Sequence, residues 1–144
     1  MTHEDAGHYA AKHPKGTVLD PRIAAALKTR IQEGGVSCAA AHAAASELGV
    51  SPGDVGRAID LMELKIAKCQ LGLFGYTPEK KIVKPAQTVS PELKAAIQKQ
   101  VQDDRISCKA AWDIADTLGI PRMEISAALE ALSIKVTPCQ IGAF

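Results

Sequence analysis

The sequence lacks the features that mark membrane, secreted and enzyme chains. It contains no uninterrupted run of eighteen apolar residues, which argues against a membrane span. Its first sixteen residues contain no apolar stretch of the kind that a secretion signal needs. A glycine-rich phosphate loop, a serine nucleophile motif and an HExxH motif are also missing. We therefore expect a cytoplasmic protein that is not an enzyme, carries no cofactor and has no membrane partner.

Aromatic side chains are scarce, and this limits the kind of core that the chain can build. They make up 3% of the residues, whereas hydrophobic residues make up 47% and are dominated by alanine. Charged residues account for 23%, too few to keep such an apolar chain unfolded. Because small side chains let helices approach closely, the composition predicts a mainly α fold.

An internal repeat organises the chain. Residues 21–74 align without a gap on residues 91–144, and seventeen of these 54 positions are identical. The closing motif Cys-Gln-Leu-Gly-Leu-Phe at 69–74 recurs as Cys-Gln-Ile-Gly-Ala-Phe at 139–144. The repeat predicts an N-terminal segment over 1–16, a first module over 17–76, a basic linker over 77–87 and a second module over 88–144.

Each copy contains residues that are typical of the starts and ends of three helices. Cap residues precede all of them except the third helix of the second copy, which begins after Pro121, and glycine follows the second helix in both copies. In the first copy the spacing of Ile23, Leu27 and Ile31 predicts one buried stripe on the first helix. The β-prone runs at 64–66 and 134–136 predict one strand or a small hairpin after the third helix.

The second and third helices resemble a known superfamily. Within residues 111–129, the small Ala115, the turn glycine Gly119 and the aliphatic Ile125 have the spacing of helix-turn-helix and winged-helix DNA-binding modules, and the first copy repeats it. The resemblance implies two tandem tri-helical helix-turn-helix modules, each followed by a short strand or reduced wing. It also implies a nucleic-acid-binding protein that acts in transcription regulation.

Such a protein needs cations for base edges and phosphates. The groove candidates on the third helices are Arg57 and Arg122. The phosphate candidates are Lys65, Lys68, Lys109, Lys135 and the linker lysines Lys80, Lys81 and Lys84. The charge balance argues against strong DNA binding, because residues 17–76 hold six basic and six acidic side chains and residues 88–144 hold six and seven.

Two alternatives therefore stay open. Near-neutral modules also suit a protein-interaction or assembly role, with a protein partner or a homodimer. A metal or thiol-redox sensor would use the cysteine pairs that recur in the two copies, Cys38 with Cys69 and Cys108 with Cys139, although buried structural cysteines explain the same pattern. The N-terminal histidines His3, His8 and His13 are a further possible metal site.

Overall fold

The structure is a computed structural model that describes residues 8–144. This part of the chain is mainly helical, with six α-helices and four short strands. The elements of the first copy are α1 (Pro21–Lys28), β1 (Gly35–Ser37), α2 (Cys38–Leu48), α3 (Pro52–Leu61) and β2 (Lys65–Ala67). The second copy follows with α4 (Pro91–Gln98), β3 (Arg105–Ile106), α5 (Cys108–Leu118), α6 (Arg122–Ala131) and β4 (Lys135–Val136). A 3₁₀ turn at Tyr9–Lys12 precedes α1.

Local hydrogen bonds fix where the helices begin and end, and the predicted caps are confirmed. Five helices start at a side chain that accepts a backbone N–H of the first turn: Asp20, Ser37, Ser51, Ser90 and Ser107. Gly49 and Gly119 end α2 and α5 in the left-handed conformation, with φ of 66° and 67°.

The predicted stripe on the first helix is wrong at its third member. The helix ends at Lys28, and Ile31 lies beyond it with 37% of its surface exposed. The chain turns at Glu33 and Gly34, whose φ values are 52° and 77°. The turn leads directly into β1, so no third helical turn is available to bury Ile31.

Each strand after a third helix has a parallel partner that the pattern did not show. In the first copy β1 pairs with β2 with Val36 opposite Ile66, and in the second β3 pairs with β4 with Ile106 opposite Val136. The predicted strand is confirmed, whereas the alternative of a hairpin is wrong. The partner strands contain two or three residues, too few to show an alternating pattern.

The folded units differ from the sequence repeats at the closing motifs. Unit 1 comprises the described residues up to Cys69 together with Ile141–Phe144, and unit 2 comprises Gln70–Gln140. The predicted modules, 17–76 and 88–144, instead keep each closing motif with its own copy. The predicted linker, 77–87, belongs to unit 2, where Val83 is buried.

Each unit has its own aliphatic core. In unit 1 the fully buried side chains include Leu27, Val36, Val55, Ile59 and the small Ala41. In unit 2 they include Ile97, Ile106, Ala111, Ile125 and Leu129. Among residues 8–144, no helix is both long enough and apolar enough to cross a membrane.

Candidate functional site

In unit 1 the helix α3 lies in main-chain contact with the last four residues of the sequence. A Cβ atom built on Gly56 would lie 1.9 Å from the carbonyl oxygen of Ile141 and 2.7 Å from its carbonyl carbon. Ile141 is 2% exposed and Ala143 is fully buried. Only glycine lets α3 approach this backbone so closely. We call the surface of α3 around Gly56, which receives Ile141–Phe144, docking site 1.

Unit 2 contains the corresponding site on α6. Ser126, which aligns with Gly56, donates its hydroxyl to the carbonyl oxygen of Leu71 over 2.6 Å, and both residues are buried. Leu71 aligns with Ile141, so the same position of the closing motif meets the same position of the third helix. We call this surface docking site 2; its peptide is Leu71–Phe74.

A strap that precedes the helices holds the glycine of each closing motif. In unit 1 the strap is Tyr9–His13, and its Lys12 Nζ donates to the carbonyl oxygen of Gly142 over 3.0 Å. In unit 2 the strap is residues 81–86, and the N–H groups of Ile82 and Val83 donate to the carbonyl oxygen of Gly72 over 2.9 and 3.2 Å. In both units the motif is therefore bound by main-chain carbonyls, at the third helix and at the strap.

A buried acid on α3 anchors the strap of unit 1. Asp60 is 2% exposed, and its Oδ2 lies 2.9 Å from His13 Nε2 and 3.1 Å from Lys12 Nζ. Its Oδ1 has no hydrogen-bond partner within residues 8–144. Lys12 thus connects the acid on α3 with the bound Gly142. In unit 2 the aligned acid is Glu130, which pairs with Lys81 of the second strap over 2.6 Å.

A second acid binds the backbone of the same strap. The carboxylate of Glu63 accepts the N–H groups of Tyr9 and Ala10, each over 2.9 Å. These two hydrogen bonds, with a smaller contribution from the charge of His8, hold the pKa of Glu63 below its ordinary value of 4.5. The strap is therefore attached through both its backbone and its cationic side chains.

The two arginines predicted to read bases are engaged within their own units. Arg57 on α3 forms an ion pair with Asp54, and the hydrogen bond from Arg57 lowers the pKa of that carboxyl. Arg122 on α6 lies over the ring of Trp112, 3.6 Å from its centroid, and 3.7 Å from an oxygen of Asp116. Neither guanidinium projects freely from its helix.

The predicted phosphate contacts divide into paired and unpaired lysines. Lys109 pairs with Asp113, and Lys81 pairs with Glu130 as described above. The other candidates are exposed and form no ion pair with any residue of the range 8–144: Lys65 and Lys68 in unit 1, and Lys80, Lys84 and Lys135 in unit 2. Of these unpaired candidates, Lys65 and Lys135 lie on β2 and β4, Lys84 lies on the strap, and Lys68 and Lys80 lie in loops.

The cysteines are packed into the units. Cys38, Cys69 and Cys108 are buried and Cys139 is half-buried. In unit 2 the N–H of Cys108 donates to the carbonyl of Pro138, and Gln140 Nε2 lies 3.5 Å from the Cys108 sulfur.

Within residues 8–144 the thiols belong to no group of metal-ligating side chains. Across residues 8–144, no three His, Cys, Asp or Glu side chains are placed to hold one metal ion, so the metal hypothesis gains no ligand cluster there. Of the N-terminal histidines, His13 is bound at Asp60 and His3 lies outside the described residues.

An open groove distinguishes unit 2 from unit 1. It has a volume of about 390 Å³ and lies between α4 and α5, with Gln100 and Thr117 among its lining residues. At the aligned positions of unit 1, Arg30 and Glu47 form an ion pair. Its polar lining includes Lys109 and Asp113, which form an ion pair with each other.

The residues that build the docking sites escaped the sequence analysis. Gly56, Ser126 and Asp60 were not among its candidate residues. The available signal was their recurrence: a small residue and an acid stand at the same two places in both copies, together with the closing motif.

Comparisons with known proteins return no match for this chain, whether with protein-family models, curated proteins or solved structures. The resemblance to helix-turn-helix proteins therefore stays a prediction, and the function must be argued from the site.

Proposed function

We propose that this chain is a protein-interaction module without enzymatic activity, in which two tandem tri-helical modules of the helix-turn-helix type each bind a short peptide segment on the third helix. One observation carries the proposal. The same motif position, Leu71 or Ile141, lies at the same third-helix position, Ser126 or Gly56, in both units. A packing accident of one unit would not recur in the other with different side chains.

The chemistry of the sites supports peptide recognition. Each site contacts two successive main-chain carbonyls of the motif and encloses the aliphatic side chain that precedes its glycine. Glycine is favoured at the next position of both motifs, because Gly72 and Gly142 have φ of +70° and +78°, a backbone conformation that residues with a Cβ rarely adopt. Main-chain contacts supply affinity and the enclosed side chain supplies selectivity, as in other peptide-binding sites. The preferred ligand is an aliphatic-Gly-X-Phe segment.

The electrostatics of the third helices favour a protein partner over DNA. The exposed side chains of α3 and α6 include Arg57, which is neutralised by Asp54, and Glu124, an acid that repels phosphate. A helix that reads a major groove needs its leading residues free to reach base edges. One face of α3 and one face of α6 are instead occupied by a closing motif.

A peptide-binding experiment tests the proposal. Ile141→Asp places a charge at a buried position, so we expect residues 141–144 to leave docking site 1 empty. A fluorescent peptide of residues 137–144 should then bind the Ile141→Asp chain and should bind the wild-type chain at least tenfold more weakly, because its site is filled. The same peptide carrying aspartate at the position of Ile141 is the control and should bind neither. Equal binding to both chains, or to neither, would remove the support for the proposal.

Nucleic-acid binding remains a second candidate function because one observation favours it. Lys65 and Lys135, at matching positions of β2 and β4, are exposed and unpaired within residues 8–144. Fluorescence anisotropy with duplex DNA tests it at about 50 and 200 mM salt. If these strands contact phosphates, binding should weaken with salt, and the double variant Lys65→Glu, Lys135→Glu should lose it. No binding at the lower salt concentration would end this candidate.

A further inference from the structure

We propose that a second copy of this chain supplies Ile141–Phe144 to docking site 1, so that two chains exchange their closing segments and form a dimer. This inference rests on the proposed function, since it names the partner that the site accepts. The partner is defined by its chemistry: it must present an aliphatic-Gly-X-Phe segment whose glycine adopts a positive φ, as Gly142 does at +78°. A second copy of the chain meets this requirement with residues already seen on the site.

Unit 1 is completed by a segment that follows unit 2 in the chain. The chain leaves this unit at Cys69 and returns to it at Ile141, after the whole of unit 2. The interactions at docking site 1 are noncovalent: backbone contact at Gly56, the hydrogen bond from Lys12 to Gly142 and the burial of Ile141. All of them form equally well when the segment comes from another molecule, which is the general condition for segment exchange.

Docking site 1 selects its peptide through contacts with the peptide main chain. Because Gly56 admits the backbone of Ile141 and would exclude it with any Cβ, the site depends on close main-chain approach. Lys12 adds a donor for the next carbonyl, and its ammonium is fixed by the buried Asp60. Each chain carries both this site and the segment that fills it, so two chains can satisfy each other in a closed, symmetric pair.

Release of the segment from docking site 1 breaks few contacts. The segment has four residues, of which Ile141 and Ala143 are buried, whereas the cores of the two units involve their helices and strands. Release of the segment therefore requires less free energy than unfolding of a unit. At docking site 1, the segment of the same chain has a higher effective concentration than the segment of another chain. The fraction of wild-type dimer therefore increases with protein concentration.

Two complementary variants test the exchange. Gly56→Ala blocks docking site 1 and leaves the segment intact, whereas Ile141→Asp disables the segment and leaves the site intact. Each variant alone should remain at the monomer mass of 15.2 kDa. A 1:1 mixture should contain a species of twice that mass, measured by native mass spectrometry and by light scattering after size exclusion. A chain carrying both substitutions is the control and should not associate with either variant.

The outcomes separate this inference from the proposed function. If the mixture stays monomeric while the peptide of residues 137–144 binds the Ile141→Asp chain, the exchange is refuted and the peptide site stands. If the peptide also fails to bind, both are refuted. Circular dichroism checks that each variant folds. Should Ile141→Asp fail to fold, Ile141→Ala replaces it; should Gly56→Ala fail to fold, Lys12→Met replaces it, because it removes the donor to Gly142. The expected doubling of mass and the refuting result stay the same.

Discussion

Replacement of Gly56 by alanine tests the structure of docking site 1 with a single methyl group. The new Cβ would lie 1.9 Å from the Ile141 carbonyl oxygen, more than 1 Å inside the 3.0 Å limit below which something must shift. The segment must leave or α3 must move. The loss in free energy of unfolding cannot exceed the cost of releasing the segment. Release loses the burial of Ile141, about 1.5–3 kcal/mol, and the hydrogen bond from Lys12, about 0.5–1.5 kcal/mol.

The helix preference of alanine acts in the opposite direction. Glycine inside a helix is less stable than alanine by about 0.5–1 kcal/mol, so part of the loss is recovered. We expect Gly56→Ala to lower the free energy of unfolding by about 1–4 kcal/mol. Urea unfolding followed by circular dichroism measures this change. The methyl NMR signal of Ile141 reports separately whether its side chain has moved into water.

Gly53→Ala is the matched control, since it makes the same chemical change on the same helix. The nearest atom to a Cβ at Gly53 is the Ser51 hydroxyl at 3.8 Å, an ordinary contact. We expect the stability to stay the same or to rise by up to about 1 kcal/mol. If Gly56→Ala is as stable as Gly53→Ala and the Ile141 methyl signal does not move, the reasoning about the docking site is wrong.

Three further predictions concern single contacts. Ser126→Ala should destabilise the protein by about 1–3 kcal/mol in urea unfolding, because the buried carbonyl of Leu71 loses its donor. Glu63 has a lowered pKa, so the stability that it adds to strap binding is complete above its ordinary pKa of 4.5 and is lost as the pH falls through its lower pKa in the folded protein. Amide NMR shifts of the strap should therefore titrate below pH 4.5. Arg122→Gln should change the fluorescence of Trp112, the single tryptophan, and cost about 0.5–2 kcal/mol.

Each of these predictions has a control within the chain. Ser133→Ala, at an exposed serine, should leave the stability unchanged, and an equal loss there would contradict the role given to Ser126. Glu63→Gln should abolish the strap titration; its persistence would assign it to another group. Arg57→Gln should leave the tryptophan spectrum unaltered, whereas an unchanged spectrum in Arg122→Gln would refute the stacking argument.

Much of the secondary structure was predictable because it depends on neighbouring residues. The caps at Ser37 and Ser107 and the left-handed glycines at Gly49 and Gly119 act over three or four residues, so their pattern is visible in the sequence. The first helix was predicted too long because the turn at Glu33 depends on where β1 must go. That requirement arises from the pairing of β1 with β2.

The candidate site was not predictable in the same way. The nine cationic candidates were chosen for charge alone, and the structure pairs Arg57, Arg122, Lys81 and Lys109 with nearby acids. Two of these pairs lie within one helix at a spacing of three or four residues, which the sequence shows, whereas the pair of Lys81 with Glu130 depends on the tertiary fold. Charge counting therefore indicated near-neutral modules correctly but did not identify which cations remain unpaired.

The amino-acid sequence by itself determined the mainly helical character, the duplication and the positions of the caps, since these follow from local hydrogen bonding and from the spacing of apolar residues. Only the tertiary structure decided which third helix receives which closing motif. The two motifs are nearly identical and the two third helices are similar, so local preference cannot distinguish their pairings. Contacts between residues far apart in the chain, at Gly56 with Ile141 and at Ser126 with Leu71, make that choice.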